Sequence, residues 1–268
     1  METKSILTRP TPFSLLEGKY NCLRTGQIHL EHTLDMQIAE VGIMNPLPQI
    51  DHLHTVAKLI NGDGQLIDLD SVIIDIDVLA FEQLYTEALG LKGTTGHITS
   101  LKIWLGLDSN LIMTPLFKPV CANFKSGNIY TVADNGKFYY YDETAPLGQK
   151  FKEYTSTFDL RKNYRDTIRI KHEGDTEYKK FIENDDTEAV IYPFQTIFTL
   201  MYDNPNADFV ILKNSIATTK SGVLKDQNAI LLLAPKSRKD IVVFTGKYAN
   251  RSHLCPPCAE ISDFDLIK

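Results

Sequence analysis

Apolar residues recur with period two at several places along the chain and with helical spacing at one. Residues 27–34 place Ile28, Leu30 and Leu34 on alternate positions, which predicts a strand. Residues 53–60 and 65–70 flank Asn61-Gly62-Asp63-Gly64, a turn sequence between two apolar runs, and predict a β-hairpin. Strands are predicted at 98–105 and 110–120, with Pro115 and Pro119 marking an edge or a break. Ile129 to Val132 leads into Asp134-Asn135-Gly136, and Lys137 to Tyr141 leads away. Asn-Gly suits a two-residue type I′ turn, so a hairpin is predicted there. Further strands are expected at 165–171, 208–213, 228–234 and 240–245. One helix is well marked. Asp77 is placed to cap it, Val78, Leu79, Phe81, Leu84, Tyr85, Ala88 and Leu89 follow helical spacing, and Gly90 suits the C′ position. Asp175 suggests a shorter helix over 175–183. The apolar run from Phe194 to Tyr202 fits either a helix or a buried strand.

Strands outnumber helices and do not alternate with them regularly, which argues against a doubly wound α/β sheet. The expected class is α+β, mainly β: antiparallel sheets and hairpins with one or two short helices, at 78–89 and 175–183. Arg9-Pro10-Thr11-Pro12 biases residues 1–20 to an extended arm. Residues 21–245 read as one globular β-rich domain with a subdivision point near 143–175, and residues 246–268 as an irregular tail.

The chain has 268 residues, 28 basic and 34 acidic, for a net charge of −6. That balance argues against a protein devoted to phosphate backbones. With 43% apolar and 23% charged residues the chain is composed to fold. Its longest aliphatic run, Ala229 to Ala234, is far short of the ~20 residues of a membrane-spanning helix. The opening residues show no secretory signal pattern. Cys22, Cys121, Cys255 and Cys258 are too few for a disulfide framework, so reduced thiols and a cytoplasmic location when made are expected.

Candidate chemistry is sparse. On a strand, His52 and His54 would share a face and could hold one metal, whereas His29 and His32 would point apart. Asp68 and Asp70, and Asp75 and Asp77, would form paired carboxylates or simply a wet strand face. His253-Leu254-Cys255-Pro256-Pro257-Cys258 could supply three ligands to a structural zinc, with Cys121 or Cys22 as a fourth. Arg161, Lys162, Arg165, Arg169 and Lys171, with Tyr154 and Tyr164, form the most basic stretch, broken by Asp159 and Asp166. Nucleophile-elbow, P-loop and dinucleotide fingerprints are absent.

The segment Arg9-Pro10-Thr11-Pro12-Phe13-Ser14-Leu15-Leu16-Glu17-Gly18-Lys19-Tyr20 resembles the N-terminal starts of some β-rich tail- and neck-associated virion proteins of tailed phages. The resemblance implies a ring or tube component and carries over no site residues. Together these features favour a non-enzymatic structural or assembly protein without a cofactor, partnered by itself or by other structural subunits, and located in a virion if the phage resemblance holds. The alternative is a metal-dependent enzyme using His52, His54 and the nearby aspartates. A membrane-active reading finds little support, because the predicted hairpins do not alternate strictly.

Overall fold

A computed structural model of the chain describes residues 38–39, 47–69, 72–91, 98–125, 128–171, 174–180, 189–203, 207, 209–218, 224–234, 247–249 and 253–255. The class is the expected one: antiparallel sheets dominate and the helices are short. Four α-helices are described: α1 (Leu47–Val56), α2 (Phe81–Leu89), α3 (Leu160–Thr167) and α4 (Phe194–Asp203). The expected strands at 27–34 and 240–245 lie outside the described residues.

The first sheet runs β1-β15-β14-β13-β4, built from Ile38–Ala39, Lys247–Ala249, Leu224–Ala234, Phe209–Thr218 and Val72–Asp77. The second runs β11-β10-β2-β3, from Lys179–Lys180, Ile168–Ile170, Ala57–Ile60 and Leu66–Asp68. The third runs β16-β12-β5-β6-β8-β9, from His253–Cys255, Ala189–Pro193, Ile98–Trp104, Leu116–Lys125, Tyr139–Tyr141 and Phe151–Glu153. Strand β7 (Asn128–Asp134) also pairs with β6.

The hairpin around Asn61–Gly64 forms, with Lys58 opposite Asp68 and Ile60 opposite Leu66. Asn61 organises it: its side-chain Oδ1 accepts the Asp63 and Gln65 N–H groups at 3.1 and 2.8 Å. The first half of the expected strand 53–60 is instead the end of α1. Ile50, Leu53, Val56 and Ala57 are buried at helical spacing, and Pro48 stands in the first turn, where no N–H is missed.

The helix after Asp77 is present. Asp77 Oδ1 accepts the Leu79 N–H at 2.9 Å, one 3₁₀ turn covers Val78–Ala80, and α2 follows. Gly90 ends it with φ −70°, so the left-handed C′ conformation expected there is not used.

The Asn135-Gly136 segment departs most from expectation. Gly136 has positive φ (72°) but Asn135 does not, so no type I′ turn exists. β7 and β8 do not pair with each other; both pair with β6, at Val120–Lys125 and at Phe117. They lie in line along one long strand, and residues 135–138 are the break between them. The break is closed by side chains: Asp134 Oδ1 accepts the Gly136 N–H at 2.6 Å and Asn135 Oδ1 accepts the Lys137 N–H at 3.0 Å. Lys118 and Pro119 fall opposite that break. Pro119 therefore sits within an inner strand, not at an edge, paired with Leu101 on one side and facing the break on the other.

Three further expectations are corrected. Residues 110–115 are a turn instead of strand, with Asp108 Oδ1 accepting the Asn110 and Ile112 N–H groups and Leu111 at φ 64°. The expected strand 165–171 begins as α3, because Asp159 caps Arg161 and Lys162 and buries Leu160, Tyr164 and Thr167 on one helical face; only Ile168–Ile170 is extended. Residues 175–180 form no helix, and Lys179–Lys180 pairs with β10. The tail is also less irregular than expected, since β15 and β16 are recruited by β14 and β12.

The main core lies between the sheets. Phe194–Asp203 resolves as a helix, and its described side chains, Phe194, Thr196, Ile197, Phe198, Leu200 and Met201, are all buried. Tyr85 of α2 meets Phe194 and Phe198 edge-on, with centroids 5.3 and 5.0 Å apart.

Candidate functional site

Helix α1 separates the first metal candidates. His52 and His54 are both half-buried on it. Two residues along an α-helix turn through about 200°, so the pair diverges where a strand would have aligned it. These are the two residues from which the enzyme reading starts, and the helix puts them on different sides. The carboxylates beside it are engaged in structure: Asp68 is ion-paired with Lys58, and Asp77 caps the helix start and donates its own N–H to Tyr141 Oη at 3.0 Å. Asp75 lies on β4 opposite Ile211, and Asp70 is outside the described residues. No group of three or more His, Cys, Asp or Glu side chains placed for a metal occurs among the described residues.

His253 and Cys255 lie on β16, paired in register with Ile191 and Ala189 of β12. Cys258 and Cys22 are outside the described residues. Cys121 lies on β6, three strands from β16 in the third sheet. Cys121 is buried, and burial pushes its thiol above the ordinary range.

Of the basic stretch, Arg161 joins a constellation that the fold gathers from other strands. Tyr164 is in the core and Tyr154 donates to the Phe158 carbonyl at 2.7 Å. Lys162 pairs with Asp166, and Arg169 donates to the Asp166 and Ile168 carbonyls. Arg161 leaves the strip and lies over two rings, 5.1 Å from the Trp104 centroid and 5.0 Å from that of Phe138. Two strand lysines complete the group. Lys102 and Lys118 are cross-strand neighbours, only 1% and 2% exposed. Their ammonium groups face different rings: Lys102 Nζ is 4.5 Å from the Trp104 centroid and Lys118 Nζ is 4.8 Å from that of Phe138. Lys118 also meets Asp134 Oδ2 at 2.8 Å. Each cation thus faces the negative face of a ring in a site with little water, where such contacts are strongest.

The cluster joins β5, β6, α3 and the break before β8. Chemically it is a clamp: its charges are turned onto rings and a carboxylate instead of outward. Sequence reasoning missed Lys102, Lys118 and Trp104. In Leu101-Lys102-Ile103-Trp104 the lysine falls where a one-sided sheet would be wet, and the structure covers that face as well.

Comparison of the chain with known protein families, with curated proteins and with solved structures finds no match. No helix among the described residues is long and apolar enough to cross a membrane.

Proposed function

We propose that this chain is a non-enzymatic structural protein that works as one subunit of a larger assembly, in the tail or neck of a tailed-phage virion. The observation that carries the reading is the edge strand β3 of the second sheet, which pairs on one side only among the described residues. All three residues of β3 are exposed, and Leu66 and Ile67 are 44% and 40% so. A sheet edge with exposed aliphatic side chains is a template for another chain. The proline-stiffened, apolar segment of residues 5–16 and its phage-like sequence point the same way. On this reading the protein is made in the cytoplasm and ends in the particle.

Light scattering coupled to size exclusion tests it on the full chain and on a chain lacking residues 1–17. We expect an oligomer from the first and a smaller species from the second. A single-chain mass for both, 30.3 kDa for the full chain and correspondingly less for the shortened one, over a wide concentration range, overturns the reading.

Zinc held by His253, Cys255 and Cys258 is a compatible addition, favoured by the close spacing of three ligand-type residues in the sequence. Chelation then lowers the melting temperature, because site binding energy is folding energy. An unchanged melting temperature removes the metal.

A further inference from the structure

Asparagine is followed by glycine at two places in the chain. Asn61-Gly62 joins β2 to β3, and Asn135-Gly136 stands in the break between β7 and β8. The side-chain amide of an asparagine is open to attack by the backbone nitrogen that follows it. Glycine hinders that nitrogen least, having no Cβ. The nitrogen attacks only as it loses its proton, so a positioned base sets the rate.

The two places differ in what surrounds that nitrogen. At Asn135 the attacking group already has its base: the Gly136 N–H donates to Asp134 Oδ1 at 2.6 Å. The Lys137 N–H donates to Asn135 Oδ1 at 3.0 Å, where negative charge develops as Cγ becomes tetrahedral. The leaving nitrogen, Asn135 Nδ2, donates to Tyr139 Oη at 3.0 Å and lies 3.5 Å from Glu87 Oε2. Gly136 is exposed, so water reaches the product. At Asn61 the carbonyl is polarised in the same way, since Oδ1 accepts the Asp63 and Gln65 N–H groups. Among the described residues, however, no carboxylate accepts the Gly62 N–H. Polarisation is common to both sites, and the base belongs to Asn135.

We propose that Asn135 is a self-modification site, at which the Gly136 nitrogen closes on Asn135 Cγ with Asp134 as base. Asp134 takes the Gly136 N–H proton, the N–Cγ bond forms, and the Cγ–Nδ2 bond breaks. The same proton passes to the departing nitrogen, which leaves as ammonia. The five-membered succinimide then takes up one water from solvent at either carbonyl. It opens to aspartate or to isoaspartate, with no change of oxidation state. Either product replaces the Nδ2 donor with a carboxylate facing Glu87, so a tie between the strand break and α2 becomes a repulsion. Isoaspartate also adds a methylene to the backbone of the break. The inference is independent of the assembly reading.

Ageing the full chain in mildly alkaline buffer tests it, with peptide mass mapping and isoaspartyl methylation following both sites in one sample. In the folded protein Asn135 is expected to convert about tenfold faster than Asn61, less than the ~10²–10⁴ of a base with a matched pKa. In urea the contacts are gone, and the two rates are expected to converge. Asp134→Asn keeps an acceptor for the Gly136 N–H and removes the base. Where circular dichroism shows that variant folded, Asn135 is expected to slow to the rate of Asn61. An Asn135 rate equal to or below that of Asn61 in the folded parent overturns the proposal, whether or not the variant folds. A ratio that persists in urea also overturns it, because the preference then belongs to the local sequence. So does a folded Asp134→Asn chain whose Asn135 converts at the parent's rate.

Discussion

Gln83 and Phe151 exchange two hydrogen bonds across the molecule: Gln83 Nε2 donates to the Phe151 carbonyl at 2.6 Å, and Gln83 Oε1 accepts the Phe151 N–H at 3.1 Å. A side-chain amide has the donor and acceptor spacing of a peptide group, so Gln83 acts toward β9 as a strand neighbour would. It ties α2 to the last strand of the third sheet, where the Phe151 ring packs on Phe117 and Tyr141. Gln83→Leu keeps the bulk and strands both backbone groups. We expect it to cost about 2–4 kcal/mol in urea unfolding, the sum of two part-buried unsatisfied groups. Gln83→Glu retains the acceptor alone and is expected to fall between the leucine variant and the parent.

Lys118 and Asp134 are unequal partners. The lysine side chain is 3% exposed and the aspartate 28%. Removing the aspartate leaves a buried ammonium; removing the lysine leaves a carboxylate that water can reach. Asp134→Ala is therefore expected to cost about 3 kcal/mol or more, and Lys118→Met to stay within about 1 kcal/mol of the parent. Chemical denaturation of the two variants and their double mutant checks the asymmetry.

Gly106 and Gly136 are constrained by different forces. A Cβ at Gly106 would lie 2.3 Å from the Thr114 carbonyl oxygen, whereas one at Gly136 meets nothing within 4 Å, and the cost there comes from φ +72°. Gly106→Ala is expected to cost about 1–3 kcal/mol or more through overpacking, and Gly136→Ala about 1–2 kcal/mol through backbone strain. Asparagine separates the causes. It tolerates the left-handed region, so Gly136→Asn recovers much of the loss, and Gly106→Asn is worse than Gly106→Ala.

The Lys152 ammonium, helped by the Thr144 hydroxyl and N–H, holds the Asp142 carboxyl well below the usual carboxylate range. A depressed folded value stabilises the native state fully above the unfolded value of about 4, and that contribution is lost as the pH falls through the folded value. Lys152→Met is expected to move the Asp142 midpoint upward, toward the ordinary range, in a carboxyl-carbon NMR titration. Above pH 6 the carboxyl is ionised in both proteins, and its shift should not move with pH there.

Local chemistry was legible from the residues alone. Asp77 announces the helix it caps, Asn61-Gly62-Asp63-Gly64 announces its hairpin, and Gly136 announces its positive φ, because each depends on atoms within a few residues. The mainly-β class follows from the same period-two patterns. Partnership was not legible. Nothing near Asn135 says that β7 and β8 will lie in line on β6, since β6 is ten residues long and only its length lets two shorter strands share one side. Residues 53–56 read as the start of a strand, and burial of Leu53 and Val56 on one helical face decided for the helix. The two strands that separate Cys121 on β6 from Cys255 on β16 are a property of the assembled sheet, not of either cysteine's neighbours. Lys102 likewise reads as a wet position until a second layer covers its face, because burial is determined by what packs above a residue and its own alternation specifies only which way it points.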